Sequence, residues 1–156
     1  MKNCYAKITK RLASLPRFQG PCDVLLFSRI ALFAATVPQL HLPPPRLLAL
    51  LRPRTAQPIA DPEVVQQIAL YVDAAIQAGS PLIEHRCYIR GLTLYYFLNR
   101  AGLAVELCFG VGSEDAGHPR HCWLVRDGKP FLEAQDPQAF YTPIYYFPAY
   151  TNPSST

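Results

Sequence analysis

With 156 residues, half of them hydrophobic and 17% charged, the chain is sized for one packed domain, and general disorder is excluded. Its net charge of +4 draws on basic residues near the start (Lys2, Lys7, Lys10, Arg11 and Arg17), a bias too mild for the basic stripe of a nucleic-acid binder. Five cysteines without close regular spacing do not make a disulfide framework, which suits a reduced, cytoplasmic setting.

In chain order, residues 1–22 read as a basic helix or arm ended by Gly20-Pro21. Residues 24–37 are apolar nearly all round, so they form a buried helix or one that docks a partner. The run stops at Pro38 and falls short of the ~20 residues that a membrane-spanning helix needs. Pro43-Pro44-Pro45 is a stiff connector, residues 46–51 make at most two helical turns, and 53–60 is a loop. Asp61-Pro62-Glu63 is a helix start, with an N-capping acid and a proline at the first position. Val64, Ile68, Val72 and Ile76 recur at four-residue intervals, and Gly79 ends this core helix, which shows no chemistry of its own.

A loop over residues 80–86 leads to a helix from Cys87 to Asn99, with Cys87, Gly91, Leu94, Tyr95 and Leu98 on one stripe and Gly102 as the stop. Leu103, Val105, Leu107, Phe109 and Val111 then alternate over a strand. Residues 112–120 are a loop, and a β-hairpin follows around Asp127-Gly128. Residues 137–156, rich in tyrosine and proline, read as an extended tail on the surface.

The chemistry sits in the stretch 87–133. At a helix N-terminus the Cys87 thiolate meets the positive end of the helix dipole and free backbone N–H groups, with His85 and Arg86 beside it. Most free cysteines are simply small buried hydrophobes. A histidine able to take the thiol proton changes that balance, and His121 opens a strand after a Gly/Pro loop. A three-residue hairpin loop, Arg126-Asp127-Gly128, would pair Trp123 with Phe131 and set His121 opposite Glu133. Directly opposed Cβ atoms lie ~5 Å apart, close enough for Glu133 to accept the Nδ1 proton. A two-residue Asp127-Gly128 loop would instead flip every face, turn Glu133 away and make Asp136 the candidate. Cys108, His118, His121 and Cys122 compose a weak rival set of zinc ligands. Cys122 alternates away from His121, and no Cys-x-x-Cys pair anchors the set, so no metal or cofactor is expected and Cys108 and Cys122 read as core. Cys4 and Cys22 carry no readable role.

Cys-x-x-Arg-small at a helix head, a strand ending Gly-Val, then His-x-Trp and Asp-Gly, with an acid twelve residues after the histidine, resembles the transglutaminase-like core of lasso-peptide maturation proteases. These are the leader peptidases, or B proteins. The resemblance spans residues 87 to about 136. It departs from the family pattern in Glu133, where Asp is more usual, and in Cys122, where Ala is common. The resemblance implies that Cys87 is the nucleophile, His121 the base and Glu133 the orienting acid. It further implies that a leader is removed from a ribosomally made precursor peptide, beside a leader-binding protein and a cyclase.

The expected fold is α+β with a papain/transglutaminase-like core: a helical region over 1–60, then a nucleophile helix packed on a small antiparallel sheet over 61–156. The leading expectation is a cysteine peptidase working through a thioester. The alternatives are a non-catalytic peptide-binding scaffold of the same fold and an amide-transferring enzyme. Neither nucleic-acid binding nor membrane spanning is expected.

Overall fold

A computed structural model describes residues 20–40, 61–79, 86–112 and 119–148, together with Phe18, Pro43, Arg46, Leu47, Ala49 and Leu51. Residues 1–17 of the expected arm, residues 53–60, 80–85 and 113–118 of the expected loops, most of the proline connector and the end of the tail lie outside the described residues. So do Cys4, His85, His118 and the Arg86 side chain. Among the described residues stand three α-helices and a four-stranded antiparallel sheet of order β3-β2-β1-β4, an α+β arrangement.

Helix α1 is Pro21–Thr36. Gly20-Pro21, expected to end an element, opens this one, because proline at the first helical position gives up no needed N–H. The expectation of a buried helix holds only in part. Ile30 and Ala34 are buried, whereas Leu25 is 60% and Leu32 65% exposed. The cause is packing on one side only, against the next two helices. No helix among the described residues is long and apolar enough to cross a membrane.

Helix α2, Pro62–Ala78, starts as its sequence prescribes: the Asp61 carboxylate accepts the Glu63 N–H at 3.0 Å. It buries Val65, Ile68, Val72 and Ile76, while Val64 in the first turn stays exposed. Helix α3, Arg86–Arg100, buries Ile89, Leu92, Leu94 and Leu98 against α2 and the sheet. Gly102 turns the chain at φ 89°, and the buried Asn99 amide donates to the carbonyls of Tyr95 and Val105, at 2.9 and 3.0 Å. That pairing satisfies a buried polar group and fixes where the chain enters the sheet.

The strands are β1 (Glu106–Gly112), β2 (Arg120–Arg126), β3 (Lys129–Phe131) and β4 (Tyr141–Phe147). The last corrects the reading of 137–156 as a surface tail, since its first part pairs antiparallel with β1. Phe147 is buried, its ring edge-on to Tyr95 at 5.7 Å, and the Tyr95 hydroxyl donates to the Pro148 carbonyl at 3.1 Å. Pro143 is tolerated because β4 is an edge strand, next to a register shift at Phe109/Gly110.

The hairpin differs from the expected register. Arg126 pairs with Lys129, Val125 with Pro130 and Leu124 with Phe131. The loop is the two residues Asp127 and Gly128, at φ 51° and 75°. Positive φ at both positions is the type I′ turn, whose twist matches the strands it joins. Asp127 adopts the left-handed conformation itself, which aspartate tolerates better than most residues.

Candidate active site

Helix α3 carries Cys87 in its first turn, at the positive end of the helix dipole. Across from it, β2 presents His121. The close approach of helix and strand depends on Gly91, one turn beyond Cys87. A Cβ there would come 2.9 Å from Cys122 Sγ and 3.0 Å from Leu107 Cδ1. Cys122 therefore faces the helix, while Cys108 packs with Trp123 and Val125 on the other side of the sheet. Two members of the rival zinc set, Cys108 and Cys122, thus lie on opposite faces of the sheet.

His121 is held by aromatic rings. Its ring stacks on Trp123 at 5.8 Å with 19° between planes, and lies 4.9 Å from Tyr141. Trp123 is fully buried and can lie flat over β1 only because Gly110 has no side chain. A Cβ there would sit 2.7 Å from two atoms of the indole.

Glu133 reaches His121 by a route that strand register alone does not provide. In the observed register, continued pairing would have turned Glu133 to the opposite face. Pairing instead stops at Phe131, and Leu132 takes φ 59°, a conformation that a bulky residue rarely adopts. This brings Glu133 Oε2 to 3.8 Å from His121 Nε2. The carboxylate thus meets Nε2 and not the expected Nδ1. The Asp136 carboxylate is engaged elsewhere. It caps the short 3-10 helix Pro137–Ala139 by accepting the Gln138 N–H at 2.9 Å.

The ionisation of the two partners is coupled. A hydrogen bond with His121 is the largest influence on Cys87 and draws its pKa below the ordinary thiol value, against the burial that pushes it up. Backbone N–H groups of Tyr88 and Cys122 help in the same direction. His121 is raised from 6.5 to about 9, first by Cys87 and then by Glu133. Both shifts favour a thiolate–imidazolium pair.

One residue of the arrangement enters the reading of the sequence only as the arginine of the Cys-x-x-Arg motif, with no role assigned to it. Arg90, on α3, donates from Nε to Asp73 Oδ1 at 2.7 Å, from one terminal nitrogen to Glu133 Oε1 at 3.0 Å, and from the other to the Leu132 carbonyl at 2.9 Å. Asp73 belongs to α2, the helix expected to carry no chemistry. An arginine one turn into a helix that starts with the thiol gives no sign in sequence of what it will touch. A cleft of about 430 Å3 opens on Cys87, Arg90, His121 and Glu133. A cleft of about 740 Å3 along α2 is larger but holds no nucleophile.

The transglutaminase-like superfamily matches this chain over residues 25–146, from α1 into β4. No curated protein and no solved structure matches it.

Proposed function

The chain belongs to the transglutaminase-like superfamily, and we propose that it is a cysteine peptidase that removes the leader from a ribosomally made precursor peptide. The observation that carries this reading is that Cys87, His121 and Glu133 line one cleft, with Glu133 3.8 Å from the imidazole and His121 drawing the Cys87 thiol below its ordinary pKa. A buried structural cysteine has no need of a lowered pKa. The lasso-type substrate rests on the resemblance of the 87–136 motifs.

In this reading Glu133 steadies the Nε2 side of His121, which leaves Nδ1 to serve the sulfur. The Cys87 thiolate attacks the scissile carbonyl carbon and a C–S bond forms. The tetrahedral oxyanion collapses, the C–N bond breaks, and the leaving amine takes its proton from the imidazolium. A water molecule then attacks the thioester while neutral His121 takes its proton. The carboxylic acid product departs and the thiolate–imidazolium pair returns. An amine in place of water would give amide transfer by the same steps. A separate leader-binding protein presents the precursor, and a cyclase takes the product.

The test is leader removal from a candidate precursor in the presence of the leader-binding partner, read by mass spectrometry. The wild type should release leader and core peptide, and Cys87→Ala should release neither. Full activity in Cys87→Ala would end the peptidase reading and favour the binding scaffold.

A further inference from the structure

Arg90 uses every nitrogen of its guanidinium, and between them they join two parts of the fold. Nε serves Asp73 on α2, and the terminal nitrogens serve the Glu133 carboxylate and the Leu132 carbonyl beyond β3. Three acceptors around one rigid plane fix that plane, which a lysine with a single point charge cannot do. Exposure falls along the chain of contacts, from 47% at Asp73 through 26% at Arg90 to 15% at Glu133. The outer pair is half in solvent and contributes little by itself. The inner pair is better shielded and sits where the backbone is least comfortable.

That position is Leu132, at φ 59°. A bulky residue in the left-handed region is strained and persists only where its surroundings hold it. The Arg90 bond to the Leu132 carbonyl and the neighbouring bond to Glu133 Oε1 supply such a hold. With Oε1 anchored, Oε2 is the oxygen left facing His121.

We propose that Arg90 is the positioning residue of this site, holding the Leu132 turn and the Glu133 carboxylate so that the acid is aimed at His121. The proposal deepens the reading of His121 as base and Glu133 as orienting acid. Among the described residues, the titratable and charged groups around His121 are Cys87 and Arg90 from α3, Cys122 beside it on β2, Tyr141 from β4 and Glu133 after β3. Asp73 of α2 acts only through Arg90.

Two effects of Arg90 on His121 have opposite signs, and this gives a decisive test. As a nearby cation, Arg90 opposes protonation of His121, so its simple removal would raise the histidine pKa. As the anchor of Glu133, Arg90 supports protonation, so loss of the anchor would lower it. The experiment follows the His121 ring protons by NMR against pH in the full chain, assigned by comparison with His121→Ala. Arg90→Gln should move the midpoint down by about one pH unit, as expected for the loss of an opposite charge within contact range. Arg90→Lys, which keeps the charge and loses the fork, should move it down as well and stands in if Arg90→Gln does not fold. Glu133→Gln should produce a similar fall, and the double variant Arg90→Gln/Glu133→Gln should fall no further. A midpoint unchanged or raised in a folded Arg90 variant would overturn the proposal, and so would additive shifts in the double variant. This readout needs no substrate, so it stands or falls separately from the leader-removal assay.

Discussion

Glu133 Oε2 lies 3.8 Å from His121 Nε2, and it does so because the chain leaves the sheet one residue earlier, at Leu132. The acid of the site is therefore held by a turn and a cation and not by strand pairing. Such an arrangement leaves Glu133 on the Nε2 side of the ring and ties its charge to the ionisation of His121.

The first expectation concerns pH. The thiolate is lost as pH falls through the lowered Cys87 value, and the imidazolium is lost as pH rises through about 9. Peptidase activity, measured as kcat/KM, should therefore follow a bell whose alkaline midpoint lies near 9. The two limbs belong to the coupled pair and not to either residue alone. An alkaline midpoint near 6.5, the ordinary histidine value, would contradict the ion pair.

A second expectation follows from the cycle of bond making. Cys87→Ala removes the nucleophile and should lower kcat by at least about 10^4-fold, with His121→Ala close behind. Glu133→Gln keeps the shape and loses the charge, so a fall of about 10²-fold is expected. The double variant Cys87→Ala/His121→Ala should be little worse than either single one, because the two act as a unit. Single-turnover measurements on a precursor peptide would expose any departure, and an additive double variant would mean that the two residues work separately.

The thiol offers a third expectation that needs no substrate. Cys22 lies exposed on α1, while Cys108 and Cys122 are buried with raised pKa values. Access alone would favour Cys22. Near pH 6 an ordinary thiol is protonated, so iodoacetamide should label Cys87 first and His121→Ala should abolish that preference. Peptide mapping after brief labelling reads the order directly, and earlier labelling of Cys22 would count against an activated Cys87.

Much of this site is legible in the order of the residues alone. The Asp61 cap, the Gly79 stop and the four-residue spacing of Ile68, Val72 and Ile76 each act within one helical turn, so local sequence carries them. Cys87 and His121 stand out because a helix start and a strand start are local signals too. The hairpin register is not legible, because Asp127-Gly128 suits both a two-residue loop and a bulged three-residue loop. In the observed register the expected meeting of His121 and Glu133 would fail, yet Leu132 restores it by a left-handed turn. The hold on that turn comes from Arg90, more than forty residues away in the chain. Contacts at that separation leave no periodic trace, and the same holds for the pairing of β4 with β1 and for the one-sided packing of α1.

Gly110 supports a fourth expectation. Its added Cβ would lie 2.7 Å from two indole atoms of Trp123 and 3.1 Å from Tyr141 Cβ. Trp123 is fully buried, so the ring has nowhere to yield. Gly110→Ala should cost about 1–3 kcal/mol of stability, the usual penalty of an overpacked core. It should also disturb the stack that holds His121 and slow the labelling of Cys87. Urea unfolding and timed alkylation test the two parts. A variant as stable as wild type would show that Trp123 can move aside freely.

The last expectation joins stability to reactivity at the contact of α3 with β2. Alanine in mid-helix is ordinarily preferred to glycine by about 1 kcal/mol. At Gly91 the gain is opposed, since the new Cβ would meet Cys122 Sγ at 2.9 Å and Leu107 Cδ1 at 3.0 Å. Both neighbours are buried, so the strand and helix must part slightly. The Cys122 N–H, which helps to hold the Cys87 sulfur as an anion, would move with the strand. Gly91→Ala should therefore destabilise the fold and slow alkylation of Cys87. Cys122→Ala removes the sulfur that causes the tighter clash and keeps the N–H. The double variant Gly91→Ala/Cys122→Ala should recover much of both losses, with a coupling of about 0.5–3 kcal/mol in the unfolding free energies. Purely additive free energies, or alkylation that stays slow in the double variant, would place the constraint on Gly91 elsewhere than at Cys122.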